Sequence, residues 1–248
     1  ARVPEDDPHY DLASRFASQM NEQGFMAITG AASGIMKAGI DDADKDLSYE
    51  AYNILETNHQ RLSGLVMDLL NLAKEDSLEF HPVNISEIIF EVTELVKHKV
   101  QEKQIEIDID EKFFSDPTVA EIDNHAIHRV LLNLVNNAID AIHDKYSGNS
   151  GGKITITYKI VPSHHILNLY VIDNGCGMSA NELSRVFEMF YSTKNNQGTG
   201  LGLAVSKRLI KAHGGVLFAE SDQDMEETRF TIKLPLTRES TKLISHTR

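Results

Sequence analysis

The segment that most constrains this chain is Asp173–Met178, which reads Asp-Asn-Gly-Cys-Gly-Met. An alternating apolar run, Ile166–Ile172, comes before it and predicts a β-strand. Glycine has no Cβ, so a turn built on Gly175 and Gly177 leaves its backbone open to the close approach of a ligand. By itself, the same pattern is equally typical of an ordinary turn between two strands. Other segments must decide between the two interpretations.

Three further segments carry groups suited to a nucleotide. Asn133–Ala138 lies in a helical pattern that places Asn133 and Asn137 on one face. Phe187–Lys194 is an aromatic stretch that ends in a lysine. Gly198–Leu203 is a glycine-rich turn that opens a helix, where free backbone N–H groups and the helix dipole attract an anion.

Taken in order along the chain, these four segments resemble the asparagine box, first glycine box, phenylalanine box and second glycine box of histidine kinases. The ATP-binding domain of that family is related to those of DNA gyrase, MutL and a heat-shock chaperone. The resemblance covers roughly residues 123–215. It implies the catalytic core of a sensor histidine kinase in two-component signalling, which uses ATP and Mg²⁺ to phosphorylate itself and then a response regulator.

The resemblance also implies roles for single residues. Asp173 would accept a hydrogen bond from the adenine amino group, and Asn137 would be the Mg²⁺ ligand. Asn133 would either assist Asn137 or be an ordinary amide on the helix surface. Lys194 would be catalytic through its contact with the terminal phosphates, while Phe187 and Phe190 would anchor a lid. The other implied nucleotide-binding positions are Gly175, Gly177, Gly198, Thr199, Gly200, Leu201 and Gly202.

The first part of the chain has the pattern of a helical hairpin. Apolar residues recur at helical spacing over about residues 9–37, and a heptad-like seam follows between Tyr52 and Ala73. A hairpin of this size cannot bury two apolar faces by itself, so we expect a homodimer in which two hairpins form a four-helix bundle. This architecture resembles the dimerisation and phosphotransfer domain of histidine kinases.

The expected phosphoacceptor histidine is missing from that hairpin. Residues 11–40 contain no histidine, and Asn21 or, in another register, Gln19 occupies the acceptor's place. In the first register Glu22 fills the acidic position that orients or deprotonates the acceptor. An amide lacks the nucleophilic nitrogen of imidazole and cannot hold a phosphoryl group. The alternatives are therefore a pseudokinase, in which ATP binding controls dimer shape or a partner, or a kinase for serine in another protein.

Composition excludes some classes of function. The formal net charge of −13 argues against a nucleic-acid partner, which would require a basic surface. A single cysteine, Cys176, suits a reducing compartment, and no apolar run is long enough to cross a bilayer. We expect a cytoplasmic protein or the cytoplasmic part of a longer, membrane-anchored one, because the chain starts at Ala1 without methionine.

The predicted fold class is α+β, with three segments. Residues 1–77 form the hairpin, residues 78–237 the ATP-binding domain, and residues 238–248 a tail. In the second segment, alternating and helical patterns predict helices on one face of a mixed sheet, an α/β sandwich. Within it we expect an edge strand near Phe80–Ile85 that contains Pro82, and a helix capped by Ser86.

Overall fold

A computed structural model describes residues 78–111, 118–193, 199–222 and 227–237. The predicted hairpin, its four-helix bundle, Asn21 and Glu22 lie outside the described residues, as do Lys194, Gly198 and the tail. The chain divides into two compact units, one of residues 76–191 with 202–248, the other of residues 1–75 with 192–201. The fold described below belongs to the first unit.

Seven strands, four α-helices and one short 3₁₀ turn make up the described fold. The strands are β1 His81–Asn84, β2 Ile105–Ile109, β3 Val119–Ile122, β4 Gly152–Val161, β5 Ile166–Asp173, β6 Val216–Asp222 and β7 Glu227–Pro235. The helices are α1 Ile85–Glu102, α2 Asn124–Tyr146, α3 Ala180–Arg185 and α4 Gly202–Ala212. The 3₁₀ turn, Pro162–His164, joins β4 to β5.

Five strands form one mixed sheet in the order β2-β4-β5-β7-β6. β2 runs parallel to β4, and the other neighbouring pairs are antiparallel. β5 therefore lies at the centre of the sheet, and its last residue, Asp173, is opposite Ile154 on one side and Thr228 on the other. The predicted mixed sheet is confirmed, and the turn at Asp173–Met178 follows directly after its central strand.

The long helices form a layer over this sheet. α2 contacts both α1 and α4, and the strands that the three helices contact are β2, β4, β5 and β6. In β4, residues Ile154, Ile156 and Tyr158 are buried while the residues between them are partly exposed, as expected of a sheet covered on one face. The arrangement is the two-layer α/β sandwich that the sequence predicts.

Two local features differ from prediction. α1 is capped by Asn84, whose side chain accepts a hydrogen bond from Ser86 N–H, so the prediction that Ser86 is the cap was wrong. The helix starts two residues earlier than expected because Asn84 satisfies a free N–H of its first turn. The strand containing Pro82 does exist, but it pairs with β3 in a separate two-stranded sheet.

Candidate nucleotide-binding site

Asp173 ends the central strand in a buried position, with 2 % of its surface exposed. Gly175 N–H donates to its Oδ1 at 2.9 Å. Burial raises the pKa of this carboxyl to about 7; the Gly175 hydrogen bond and Lys145 act against the rise, and the charge of Glu227 adds to it. A buried carboxyl with so high a pKa is typical of a functional position rather than of a simple turn.

Asn174 holds the turn to the surrounding fold. Its side-chain oxygen accepts from Lys153 N–H at 2.7 Å, and its amide group donates to Gly151 O at 2.8 Å and to the Tyr146 hydroxyl at 3.1 Å. Its own carbonyl accepts from Lys145 Nζ at 2.8 Å. The start of β4 and the last turn of α2 thus fix the turn, a role that sequence reasoning missed.

The glycines of the turn are required for two different reasons. A Cβ on Gly175 would lie 2.7 Å from both the carbonyl carbon and the Cβ of Ala141 in α2, so no side chain fits there. Gly177 has a φ of 69°, which favours glycine. Cys176 N–H donates to Ala141 O at 3.2 Å, so the turn lies directly on the helix that carries the asparagines.

Thr228 is a second residue that sequence reasoning missed. It is opposite Asp173 in β7 and 5 % exposed, and its hydroxyl lies 3.1 Å from Ser221 Oγ. Ser221 Oγ also accepts from Met178 N–H at 2.8 Å, at the end of the turn. A polar residue in a strand is ordinary in a sequence, and only the pairing register reveals that this one lies beside the carboxylate.

The two asparagines of α2 lie on one face, as predicted, but their surroundings differ. Asn133 Nδ2 donates to Ser206 Oγ in α4 at 3.0 Å, and its Oδ1 occupies the space where a Cβ on Gly202 would lie. The amide of Asn133 therefore links two helices. Asn137 is half-buried one turn further along α2.

The described residues suit a metal held mainly by its substrate. Within the described ranges, no group of three His, Cys, Asp or Glu side chains is arranged to hold a metal ion. Mg²⁺ keeps several waters and takes phosphate oxygens, so one amide oxygen from Asn137 fits it. That assignment stays a prediction.

The second glycine box is described from Thr199 onwards. Leu201 N–H donates to Thr199 Oγ1 at 3.3 Å, and Gly200 has a φ of 65°. The positive φ at Gly200 is the backbone shape that glycine supplies in a phosphate-binding turn. Helix α4 then begins at Gly202, as the sequence predicts.

Phe187 packs against the domain. Its ring meets that of Phe230 edge-on, with centroids 6.4 Å apart, and Lys207 Nζ lies 4.7 Å from its ring centre. These contacts tie the segment after α3 to the sheet and to α4, which supports the interpretation of Phe187 as an anchor. Phe190, with a φ of 65°, is half-buried.

Comparison with known proteins gives the family. The family described as "Histidine kinase-, DNA gyrase B-, and HSP90-like ATPase" matches residues 122–238. The nucleotide-free catalytic domain of histidine kinase ThkA is 30 % identical to this chain and superposes on it with a TM-score of 0.55. The match covers 66 % of this chain and 99 % of the ThkA domain. The chain belongs to the histidine kinase family.

Two further relatives extend the match of this histidine kinase. Sensor histidine kinase ZraS from Salmonella typhi is 32 % identical over 191 residues, which make up 76 % of this chain and 38 % of ZraS. A second match is to the structure of ThkA in complex with response regulator protein TrrA, with 27 % sequence identity and a TM-score of 0.71. This match covers 92 % of the present chain and 62 % of the matched chain. This histidine kinase chain spans less than half the length of the first curated relatives it matches.

The structure brings several predicted site residues of this histidine kinase together. Gly175, whose N–H donates to Asp173, lies against Ala141 in α2, and Gly202 lies against Asn133 in the same helix. Helix α2 therefore contacts Gly175 and Gly202, one residue from each glycine box. None of the helices in the described part of the chain combines the length and apolar character that a membrane-spanning helix needs.

Proposed function

We propose that this chain is the ATP-binding catalytic core of a sensor histidine kinase, which phosphorylates itself and then a response regulator. The buried carboxyl of Asp173 carries the proposal. It ends the central strand, Gly175 N–H holds it, and the turn that follows rests on the helix that carries Asn137. An acidic acceptor held so rigidly selects a ligand with a donor at one fixed position.

Adenine offers that donor in its exocyclic amino group. Guanine has an oxygen at the same ring position, which would face the carboxylate of Asp173 as a second acceptor. The site therefore favours adenine nucleotides, because a wrong partner leaves a buried acceptor unpaired.

The phosphate end of ATP would be held by the second glycine box and the lysine before it. Backbone N–H groups of Gly198, Thr199, Gly200, Leu201 and Gly202 suit phosphate oxygens, and Lys194 supplies a positive charge for the terminal phosphate. Mg²⁺, held by Asn137, would supply charge neutralisation at the phosphates during transfer. Asn133 acts here mainly through its bond to Ser206.

The partners follow from the relatives. ThkA is known in complex with the response regulator TrrA, and we extend a response-regulator partner of this class to the present chain. We also propose the domain limits 1–77, 78–237 and 238–248, a homodimer formed by the first of them, and a cytoplasmic site of action. Light scattering of the chain with and without residues 1–77 tests the dimer, because only the full chain should have twice its monomer mass.

A pseudokinase is the second candidate, and one observation favours it. No histidine occurs between residues 11 and 40, where the acceptor belongs, and Asn21 occupies the place beside Glu22. A chain of this kind would bind ATP and change its dimer or its partner without transferring phosphate. Phosphotransfer to a serine of another protein remains the third alternative.

Two measurements separate these functions. Calorimetry of the full chain with ATP and Mg²⁺ tests the binding that all of them share; no heat of binding, or unchanged binding by Asp173→Asn, would reject the nucleotide site. Incubation with γ-labelled ATP then gives acid-labile, alkali-stable label for phosphohistidine and acid-stable label for a hydroxyl. Binding without label identifies the pseudokinase, and label gained by Asn21→His would place the acceptor at residue 21.

A further inference from the structure

Helices α2 and α4 are joined by two polar contacts far apart along their lengths. The near tie is the bond from Asn133 Nδ2 to Ser206 Oγ at 3.0 Å. The far tie is the bond from Asp123 N–H, at the cap of α2, to His213 Nε2 at 3.0 Å, just beyond the end of α4. The earlier residue of the α2 segment, Asp123, contacts the later residue, His213, and Asn133 contacts the earlier Ser206. The two helices therefore run antiparallel.

His213 is set up as a neutral acceptor. Its Nδ1 lies 2.7 Å from Leu209 O, which can only accept, so Nδ1 carries the proton and donates. Its Nε2 then has a free lone pair for Asp123 N–H. The ring is 4 % exposed, and burial lowers its pKa below the usual value for histidine. Both nitrogens have one defined role, which fixes the orientation of the ring.

Asp123 joins a third segment to the far tie. One carboxylate oxygen accepts from Ala126 N–H at 3.0 Å as the cap of α2, and the other accepts from Glu79 N–H at 3.0 Å. The neighbouring Phe80 ring packs on His213 with centroids 5.2 Å apart. Leu78–Phe80, the segment that leads into this domain from residues 1–77, is thus fastened to the ends of both helices.

We propose that His213 is a positioning residue for the nucleotide site, because the far tie fixes the end of α4 against the cap of α2. The near and far ties are separated by ten residues of α2, about 15 Å. Two hydrogen bonds at separate points fix the angle between α2 and α4, whereas with only one of them the helices could still rotate about that contact. Helix α2 carries Asn137 and helix α4 begins at Gly202, so this angle sets the spacing of both. The inference rests on the proposed nucleotide binding.

Two substitutions of His213 separate the tie from the fold. The side chain of His213→Gln places an acceptor near the position of Nε2 and keeps the tie. His213→Asn places its amide near Nδ1, keeps the bond to Leu209 O and loses Asp123. We expect His213→Asn to raise the Kd for Mg²⁺-ADP by about threefold to tenfold, the range for one lost hydrogen bond, and His213→Gln to stay within about twofold of wild type.

Asp123→Ser is the matched control. A serine still caps α2 and keeps the backbone N–H that His213 accepts, but it gives up the second carboxylate oxygen that holds Glu79. Its nucleotide Kd should stay close to that of wild type while the amide of Glu79 becomes faster in hydrogen exchange. A rise in Kd equal to that of His213→Asn would overturn the role of the histidine tie.

Ser206→Ala supplies the decisive readout. It breaks the near tie without removing Asn133, and its position is two helical turns from His213. The free-energy effects of substitutions at two independent sites this far apart are additive, whereas the effects of two substitutions that loosen the same helix pair are not. We expect the Kd of the Ser206→Ala/His213→Asn double variant to differ from the product of the single effects by at least about threefold. Additive effects, or thermal destabilisation with unchanged Kd, would reduce His213 to a structural role.

The outcomes also separate this inference from the proposed function. If the wild-type chain binds Mg²⁺-ADP but His213→Asn does so equally well, the positioning role is wrong and the function stands. If the wild-type chain binds no nucleotide, the proposed function fails and the inference fails with it. An NMR spectrum with the proton of His213 on Nε2 would overturn the tie by itself, because that nitrogen could no longer accept.

Discussion

Gly175 of the first glycine box and Gly202 of the second both lie against helix α2, but different neighbours require them. A side chain on Gly175 would meet the main chain of Ala141, with its Cβ 2.7 Å from the carbonyl carbon. A side chain on Gly202 would meet the side-chain amide of Asn133 instead. Neither glycine has a positive φ, so in both cases the requirement is space rather than backbone torsion.

Gly175 and Gly202 differ in how easily the group that each contacts can move. The main chain of Ala141 is part of a helix packed against both α1 and the sheet, and it cannot move without them. The amide of Asn133 can rotate, although its bond to Ser206 opposes the rotation. The first box is therefore a rigid fit and the second an adjustable one, and substitutions should reveal this difference.

Gly175→Ala should have the largest effect. We expect the free energy of unfolding to fall by about 1–3 kcal/mol, the usual cost of overpacking. Relief of the clash moves the turn and with it the Asp173 contact, a charged hydrogen bond worth about 1.5–3 kcal/mol, so nucleotide affinity should fall by about 10-fold to 100-fold. Denaturant unfolding and calorimetry measure the two effects.

The control for this variant is Gly175→Ala combined with Ala141→Gly. The second change removes the Cβ of residue 141 but leaves its carbonyl carbon in place, so we expect only partial recovery of stability. Full recovery would show that the contact is with the side chain, and the contrast between the two boxes would disappear.

Asp173→Asn should have the next largest effect and should change how binding depends on pH. The free carboxyl has a pKa of about 7 because it is buried, and its ionised form is a stronger acceptor for the adenine amino group than the neutral acid. Nucleotide binding must therefore displace a proton below pH 7. We expect the affinity of the wild-type chain to fall by up to about tenfold per pH unit there.

The asparagine variant cannot ionise, so its affinity should be about tenfold weaker near pH 8 and nearly independent of pH. Calorimetry between pH 5.5 and pH 8 gives both curves. In folding without ligand the sign is opposite: the raised pKa contributes stability that is present near pH 4 and is lost as the pH rises to about 7. A wild-type affinity that does not change with pH would contradict the buried-acceptor interpretation.

The sequence predicted well those features that repeat locally. The alternation in Ile166–Ile172 gave β5, and the helical spacing around Asn133 gave α2. The residues that hold these elements together escaped it. Neither the hydrogen bonds of Asn174 nor the place of Thr228 beside Asp173 has any period in the sequence, because each depends on how distant segments pack together.

The same reason explains one wrong prediction and one position that the sequence left open. Ser86 is as good a capping residue as Asn84 by type, and only the geometry of the chain reversal decides which side chain reaches a free N–H. Asn133 was open between nucleotide assistance and an ordinary surface amide. Its bond to Ser206 comes from the packing of α2 on α4, which a single sequence does not contain.

Gly202→Ala tests the adjustable box. The new Cβ would displace the amide of Asn133, which can rotate, so the cost should be small. We expect a loss of stability below about 1 kcal/mol and a weakening of nucleotide binding by about threefold to fivefold. Thermal unfolding and calorimetry again give the two numbers.

Asn133→Ala is the companion change for this box. It removes the amide that the new side chain meets, so Gly202→Ala should be no less stable than glycine in that background. We therefore expect the second substitution to restore stability fully at Gly202 but only partly at Gly175, and this comparison tests the difference between the two positions most directly. If Gly202→Ala costs as much as Gly175→Ala and is not relieved, both boxes are rigid.

Cys176→Ser should have the smallest effect, although the residue lies between the two glycines of the rigid box. Its side chain is exposed, and its contribution to the turn is the backbone N–H that Ala141 O accepts, which serine keeps. Partial burial and the charge of Asp144 raise the thiol pKa, so at neutral pH the side chain is an uncharged thiol that a hydroxyl resembles. We therefore expect nucleotide affinity within about twofold of wild type and slow alkylation of the wild-type thiol. A tenfold loss would mean that the side chain itself reaches the ligand, and the rigid fit would then extend beyond the backbone of this turn.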